Sequence, residues 1–561
     1  MTGTVVMCRD MPLRDSPDLI LQKFEEDFGV TLSHSSQNVD QYVDGGLVRS
    51  KSTGRPNITG KEQERLQQFL DRWFFPPGSD TTAVQLTGEP SVTTNDEIRD
   101  ADKLNGKLTH RGLMGSMTKL CRKACPLGGE ENSSLIHAPY PFIIPGERFR
   151  ESYYWDSYWI IKGLLKNKST YSFCLGIVRN FGYMVQRLGM VPNGFRSYYL
   201  NRSQPPMLSC MVYEIYKHSE SKKDLVEEFL PVMKQEMLFW RDCKRTIHLN
   251  NDTIVSRYYS EWTKPRPESL REDLSTFELF KLGLEWSKIQ DKKRKSLENE
   301  FFRNISAAAE SGWDFSSRWL DESNSLESIR TTRILPVDLN AILIKSERII
   351  STLATEVGDT HTSAQFDAFY RERRQSFVSL FWDPVMCKWR DILLNDDCSE
   401  IIGFSREEDY ASDWVPLWCL EEEEDLQMHE QAIKSLRNSK INASGGVSAS
   451  SIFTGQQWDW PNVWPPSQYF LAEGCWSVAR LVQSCGREEH DSHQLALDAE
   501  MLGDGIKTRY LASAAHVWEQ KQTLPEKFDC EHQGGFGYGG EYECVEGFGW
   551  STGLALHWLD Y

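Results

Sequence analysis

The chain has 561 residues, 40% of them hydrophobic, with a formal net charge of -18 and an isoelectric point near 5.3. Such a length supports a large buried core, while the acidic balance argues against nucleic acid or an anionic membrane surface as partner. No apolar run approaches the roughly 18 residues that a spanning helix needs, so no transmembrane segment is expected. Met1 to Asp10 carry charge early and lack the apolar stretch of a signal peptide, which makes the chain cytoplasmic as written. Seven N-x-S/T sequons (Asn57, Asn132, Asn167, Asn201, Asn251, Asn304 and Asn442) pull the other way, toward secretion from an incomplete N-terminus. The 13 cysteines are scattered, odd in number and without a metal-type C-x-x-C pair.

Residues 1–110 read as a polar, irregular arm packed on the domain that follows. It holds one helix over Ser16 to Phe28 and another over Lys61 to Phe75, where Leu66, Phe69, Leu70 and Trp73 keep helical spacing. Connectors such as Ser50–Gly54 and Asp80–Thr82 are rich in Gly, Ser and Thr. Residues 111–561 then read as one large all-α domain. Leu225, Val226, Phe229, Leu230, Met233, Met237, Leu238 and Trp240 recur at three- and four-residue steps, as do Ile342 to Leu353 and Phe366 to Phe381. Period-two runs of β-branched residues are scarce, and no phosphate-binding glycine loop is present. The acidic run Glu421 to Asp425 is expected to be a solvated face.

Chemistry concentrates in the loops between those helices. Pro145 to Trp159 reads P-G-E-R-F-R-E-S-Y-Y-W-D-S-Y-W, interleaving charge with large aromatic rings. Buried charge needs a partner, and this mixture suits a sugar, whose apolar face stacks on rings while Arg and carboxylate groups bond its hydroxyls. Asn193 to Pro206 and Pro265 to Ser269 are proline-stiffened loops presenting Asn193, Arg202, Ser203, Gln204, Arg266 and Glu268. Each could equally be a well-capped turn. Phe301 to Glu310 reads as a helix closed by Gly312, so Asp314 would emerge between Trp313 and Trp319. A carboxyl beside indole rings is desolvated, which suits a general acid; the plain alternative is an Asp capping the next turn through Ser316 or Ser317. Gln457 to Pro466 stacks three tryptophans and three prolines into a stiff platform. The tail supplies Glu526, Lys527 and a glycine-rich stretch around Glu541.

Together these residues resemble the trehalases, inverting glycoside hydrolases that split α,α-trehalose. P-G-x-R-F-x-E-x-Y-x-W-D-x-Y matches at Pro145 to Tyr158 and Q-W-D-x-P-x-x-W-x-P at Gln457 to Pro466, with N-R-S-Q-P-P, R-P-E-S, S-G-W-D-F-S-S-R-W and E-K-[YF] in family order between and after them. The resemblance implies an (α/α)6 toroid, no metal or organic cofactor, Asp314 as general acid and Glu526 as general base. It places sugar contacts on Arg148, Trp155, Asp156, Asn193, Arg202, Ser203, Gln204, Arg266, Pro267, Glu268, Gly312 and Glu541. Glu147 stands where the family usually has glycine, and folded back onto Arg148 it would weaken that contact. Phe195, Val463 and Pro465 also depart from the common pattern. A same-fold hydrolase of another small glucoside, or an inactive sugar-binding protein, are the rival readings.

Overall fold

The computed structural model describes residues 11–28, 60–86, 107–125, 132–249, 253–485 and 490–559. Met1 to Asp10, the Ser50–Gly54 connector and the sequons at Asn57 and Asn251 lie outside them. In chain order the helices are α1 (Pro17–Phe28), α2 (Gly60–Trp73), α3 (His110–Lys119), α4 (Asp156–Leu164), α5 (Tyr171–Leu188), α6 (Leu208–His218), α7 (Lys222–Trp240) and α8 (Leu270–Leu282). Then follow α9 (Asp291–Glu310), α10 (Val337–Glu356), α11 (Thr360–Phe381), α12 (Pro416–Cys419), α13 (Leu426–Asn438), α14 (Pro465–Ser484), α15 (His490–Lys521) and α16 (Gly549–Trp558).

Burial sorts these helices into two rings. In α4 every residue but Lys162 is buried, and in α16 every residue but His557. A helix apolar nearly all round belongs inside. The inner helices α4, α6, α10, α12, α14 and α16 each touch the next, and α16 returns to touch α4, so the ring closes. Outside them sit α5, α7, α11, α13, α15 and α3. These are one-faced: α13 buries Leu426, His429, Ala432, Ile433 and Leu436, a 3.6-residue stripe. The pair α8 and α9 is inserted between the second and third inner helices, and α9 leads into the loop of Asp314.

Closure depends on glycine. A Cβ added at Gly163 of α4 would lie 2.3 Å from the carbonyl oxygen of Gly553 in α16, and one at Gly553 would lie 2.4 Å from the carbonyl oxygen of Trp159. The two backbones therefore meet directly, as only paired glycines allow.

Helices α1 and α2 end within two residues of expectation, the ordinary fraying range, whereas α9 starts at Asp291 rather than at Phe301, because its charged first half buries no apolar residue that could announce it. Strands are two to four residues long. One three-stranded antiparallel sheet joins the N-terminal segment to the helical body: Thr81 pairs with Ala124, and Arg122 with Phe142. Beside it, Arg196 donates to Asp80 (2.8 Å) and to Glu151 (2.7 Å), all three side chains being buried. The acidic run departs from expectation at its end. Asp425 is buried and accepts a 2.8 Å bond from Arg374, because that arginine of α11 needs a partner where α13 begins. Asn304 of the sequon set is also buried, its side-chain oxygen accepting from Thr332. Among the described residues every cysteine is free, and no helix is long and apolar enough to cross a membrane.

Gly553→Ala is expected to force α4 and α16 apart and to lower stability by about 1–3 kcal/mol, the usual cost of overpacking. Thermal unfolding of the variant beside the parent measures it; an unchanged midpoint would mean the ring has slack at this contact.

Candidate active site

The N-terminal ends of three inner helices open onto one cavity. Trp155, Trp464 and Phe548 are the N-cap residues of α4, α14 and α16, and all three line it. The cavity and its open solvent mouth together hold about 890 Å3 of empty space. Its floor is aromatic. Trp458 stacks on Trp464 with ring centroids 4.0 Å apart and on Trp313 at 4.8 Å, while Trp155 tilts against Trp458 at 5.8 Å and Trp550 meets Trp464 edge-on at 5.6 Å.

Asp314 comes from the end of α9. Ser311 caps that helix, and the expected glycine follows one residue later, Gly312 at φ +74°. A Cβ there would sit 2.6 Å from the Trp155 ring, so glycine answers both the turn and the close approach. The alternative role for Asp314 as a turn cap does not hold. Ser316 caps the following turn, and the carboxylate that gathers the two serines is Asp459. Asp459 is fully buried and accepts from Ser316 Oγ, Ser317 N, Ser317 Oγ and Thr454 Oγ1. Asp314 itself is partly open to the cavity. Burial pushes its carboxyl up to about 7, with Arg266 pulling down and Glu541 pushing up.

Glu526 lines the same cavity from the C-terminal part of the chain. Its strand neighbours Phe528 and Asp529 pair with Val463 and Asn462, which fixes the tail against the tryptophan platform. Burial raises its carboxyl above the usual range, opposed by Lys527, by a hydrogen bond from Tyr542 and by Arg148. Tyr542 donates to Oε1 at 2.8 Å, whereas the buried Oε2 has no hydrogen-bond partner among the described residues. Lys527 does not bond Glu526. Its ammonium donates to Gln457 Oε1 (3.0 Å) and the Gly539 carbonyl (3.3 Å) and lies over the Trp464 ring.

A third carboxyl shares the cavity. Asp156, in the first turn of α4, is pushed well above the ordinary range by burial, with Glu526 and Asp314 adding to the rise. Around the three acids stand three arginines, and each is held differently. Arg148 lies over the Tyr542 ring (4.6 Å) with its Nε unpartnered among the described residues. Arg202 donates to Asn201 and Glu268. Arg266 spends its planar fork on carboxylates: Nε and Nη2 both engage Asp273, and Nη2 reaches Glu541 at 2.8 Å. Burial leaves Asp273 raised to about 6 even against that guanidinium, whereas Arg202 and Arg266 outweigh burial at Glu268 and hold it low.

Of the remaining expected residues, Asn193, Gln204, Gly312 and Glu541 line the cavity, and Gln204 accepts from the Trp155 backbone at 3.0 Å. Two expected residues are not among those lining the cavity. Ser203 is not on the wall, since its hydroxyl donates backward to the Val191 carbonyl (2.6 Å) and its N–H to Glu310. Pro267 is exposed and likewise off the wall, because it opens the turn that aims its neighbours Arg266 and Glu268. Glu147 is exposed and makes no bond to Arg148, so the departure at that position leaves Arg148 unobstructed. Phe195 is wholly buried against Phe142 and Phe181, which explains an apolar residue there. Residue-by-residue reading passed over Tyr542, Gln457, Phe149 and Tyr153, which also line the cavity. Tyr542 follows Glu541 and Gln457 opens the second motif, so their adjacency to motif residues was the available signal.

The sequence model of the trehalase family matches residues 27–561. A trehalase of Arabidopsis thaliana is 32% identical over 568 residues, covering 98% of this chain and 83% of its own length. That of Apis mellifera is 32% identical over 516 residues, covering 88% and 75%. The solved neutral trehalase Nth1 of Saccharomyces cerevisiae shares the fold at TM-score 0.58, with 23% identity over 75% of this chain and 74% of that one. The ring of paired helices is thus the (α/α)6 toroid of a large class of glycoside hydrolases. Within that class, the chain belongs to the trehalase family.

Asp459→Ala would strand several buried donors at once, on both the Asp314 loop and the tryptophan platform. Each such group costs about 1–3 kcal/mol, so a loss of about 3 kcal/mol or more is expected in denaturant unfolding, with Asp459→Asn losing less because one acceptor oxygen remains. Equal stability of all three proteins would show that the contacts are incidental.

Proposed function

We propose that this chain hydrolyses α,α-trehalose to two glucose molecules by a single inverting displacement, with Asp314 as the acid and Glu526 as the base. The observation that carries the reading is the different treatment of two carboxyls facing one cavity. Asp314 is pushed up to about 7 and so holds a proton near neutrality. At Glu526 the rise is opposed by Lys527, Tyr542 and Arg148, which favour the ionised form. Burial raises both carboxyls, but only at Asp314 is the rise large, and unequal environments divide acid from base.

The steps follow. Asp314 donates its proton to the glycosidic oxygen as the bond to the anomeric carbon breaks. Glu526 takes a proton from water entering on the opposite face of the ring. Tyr542 occupies Oε1, which leaves Oε2 to accept that proton. Inverting sites leave room for the water by separating the carboxyls by about 6.5–9.5 Å. Charges in the cavity are mostly paired, Arg202 with Glu268 and Arg266 with Glu541, which suits a neutral polyol that accepts from one partner and donates to the other. Asp156, whose carboxyl burial pushes well above the ordinary range, offers a third polar group to the sugar's hydroxyls. The tryptophan floor takes the apolar face of a sugar ring.

Inversion at one of two α-linked glucoses releases α- and β-glucose in equal amounts. Proton NMR of the earliest product is expected to show that ratio, and α-glucose alone would mean retention. The pH profile gives a second check. Activity needs Asp314 protonated, so it falls as pH rises past about 7, and it needs Glu526 ionised, so it falls on the acid side. Tyr542→Phe removes a hydrogen bond that favours ionised Glu526. The acid limb of kcat/KM is therefore expected to move to higher pH while the alkaline limb stays; an unmoved acid limb would take Tyr542 off the base.

A further inference from the structure

Gln457 lies between the two carboxyl loops and touches both. Its Nε2 donates to the main-chain carbonyl of Asp314, and its Oε1 accepts from Lys527, the residue next to Glu526, at 3.0 Å. The side chain is buried and wedged in place: a Cβ on Gly540, which sits at φ +82°, would come within 2.8 Å of Gln457 Cβ. Its backbone carbonyl accepts from Trp464 Nε1 at 2.8 Å, and the next residue, Trp458, donates its N–H to Phe315 at 3.0 Å. The amide therefore has little freedom to turn, and one rigid group spans from the main chain of residue 314 to the side chain of residue 527.

We propose that Gln457 is a positioning residue whose amide ties the acid loop to the base loop and so sets how far apart the two carboxyl groups stand. This rests on the assignment of Asp314 and Glu526 above. An amide suits the task because it offers one donor and one acceptor on the same short fork, each needed by a different loop. A carboxylate could serve Lys527 but would face the Asp314 carbonyl with no hydrogen to give. An apolar side chain of equal length could serve neither.

The test uses trehalose and α-glucosyl fluoride, whose leaving group needs no proton, with Gln457→Met, Gln457→Glu and Asp314→Asn in the full chain. In Gln457→Met both ties are lost. Its kcat on both substrates is expected to fall about 100-fold, the scale of an ångström misplacement, with KM nearly unchanged. Gln457→Glu keeps the Lys527 tie alone, so fluoride hydrolysis should recover while trehalose hydrolysis stays low. A raised KM with unchanged kcat would overturn the proposal, since Gln457 would then be a sugar contact, and so would near-parental kcat in both variants. Should Gln457→Met not fold, Gln457→Glu alone carries the contrast between substrates. Asp314→Asn separates the two levels: full trehalose activity in that variant rejects the carboxyl assignment, whereas its loss beside normal Gln457 variants rejects only the positioning role.

Discussion

The site hangs on one buried carboxylate that does no chemistry. Asp459 gathers donors from Ser316, Ser317 and Thr454, and through them it binds the loop of Asp314 to the tryptophan platform. A carboxylate in this position is costly, and burial raises it to about 6 despite its donors. The cost is offset only while all those donors stay in place, which is why the arrangement is specific rather than merely cohesive. The platform in turn pairs with the strand after Glu526. Two loops more than 200 residues apart in sequence thus share one support; the separation is 526 − 314 = 212.

Electrostatics in the cavity follow from how each charge is held. Arg266 would be a flexible cation if it faced the cavity alone, but Asp273 and Glu541 clamp it. Its guanidinium then acts as a fixed field on Asp314, opposing the effect of burial without cancelling it. Lys527 has the complementary place, near Glu526 but bonded elsewhere, so it favours the ionised base without forming an ion pair that would occupy it. Contact and field are separated in both cases. That separation lets the carboxyls keep oxygens for other partners.

Much of this was legible in the residues, and the limits have physical causes. One-faced outer helices such as α7 and α11 announce themselves through apolar periodicity. Inner helices such as α4 and α16, nearly all buried, lose that contrast, and the four-residue α12 is too short to carry any pattern. The number of helices in the ring was therefore reachable by resemblance alone. In the site, motif adjacency located the cavity wall but not the direction of each side chain. Ser203 sits between two wall residues, Arg202 and Gln204, and its hydroxyl turns away toward Val191. Arg266 shows the same limit: Pro265 and Pro267 promised a stiffened fork, and only the fold reveals that Asp273, seven residues on, takes it.

Closure of the inner ring through Gly163 and Gly553 also sets the order in which the molecule can be completed during synthesis. Helix α4 emerges early, yet the backbone it packs against belongs to α16, nearly 400 residues later (553 − 163 = 390). The outer helix α3 likewise waits for α16, its neighbour in the finished ring. Through most of translation both helices carry unburied apolar flanks, a condition that invites association with other chains. The nascent polypeptide is thus an open arc until α16 arrives, and only then becomes an enclosing wall with a chamber to work in.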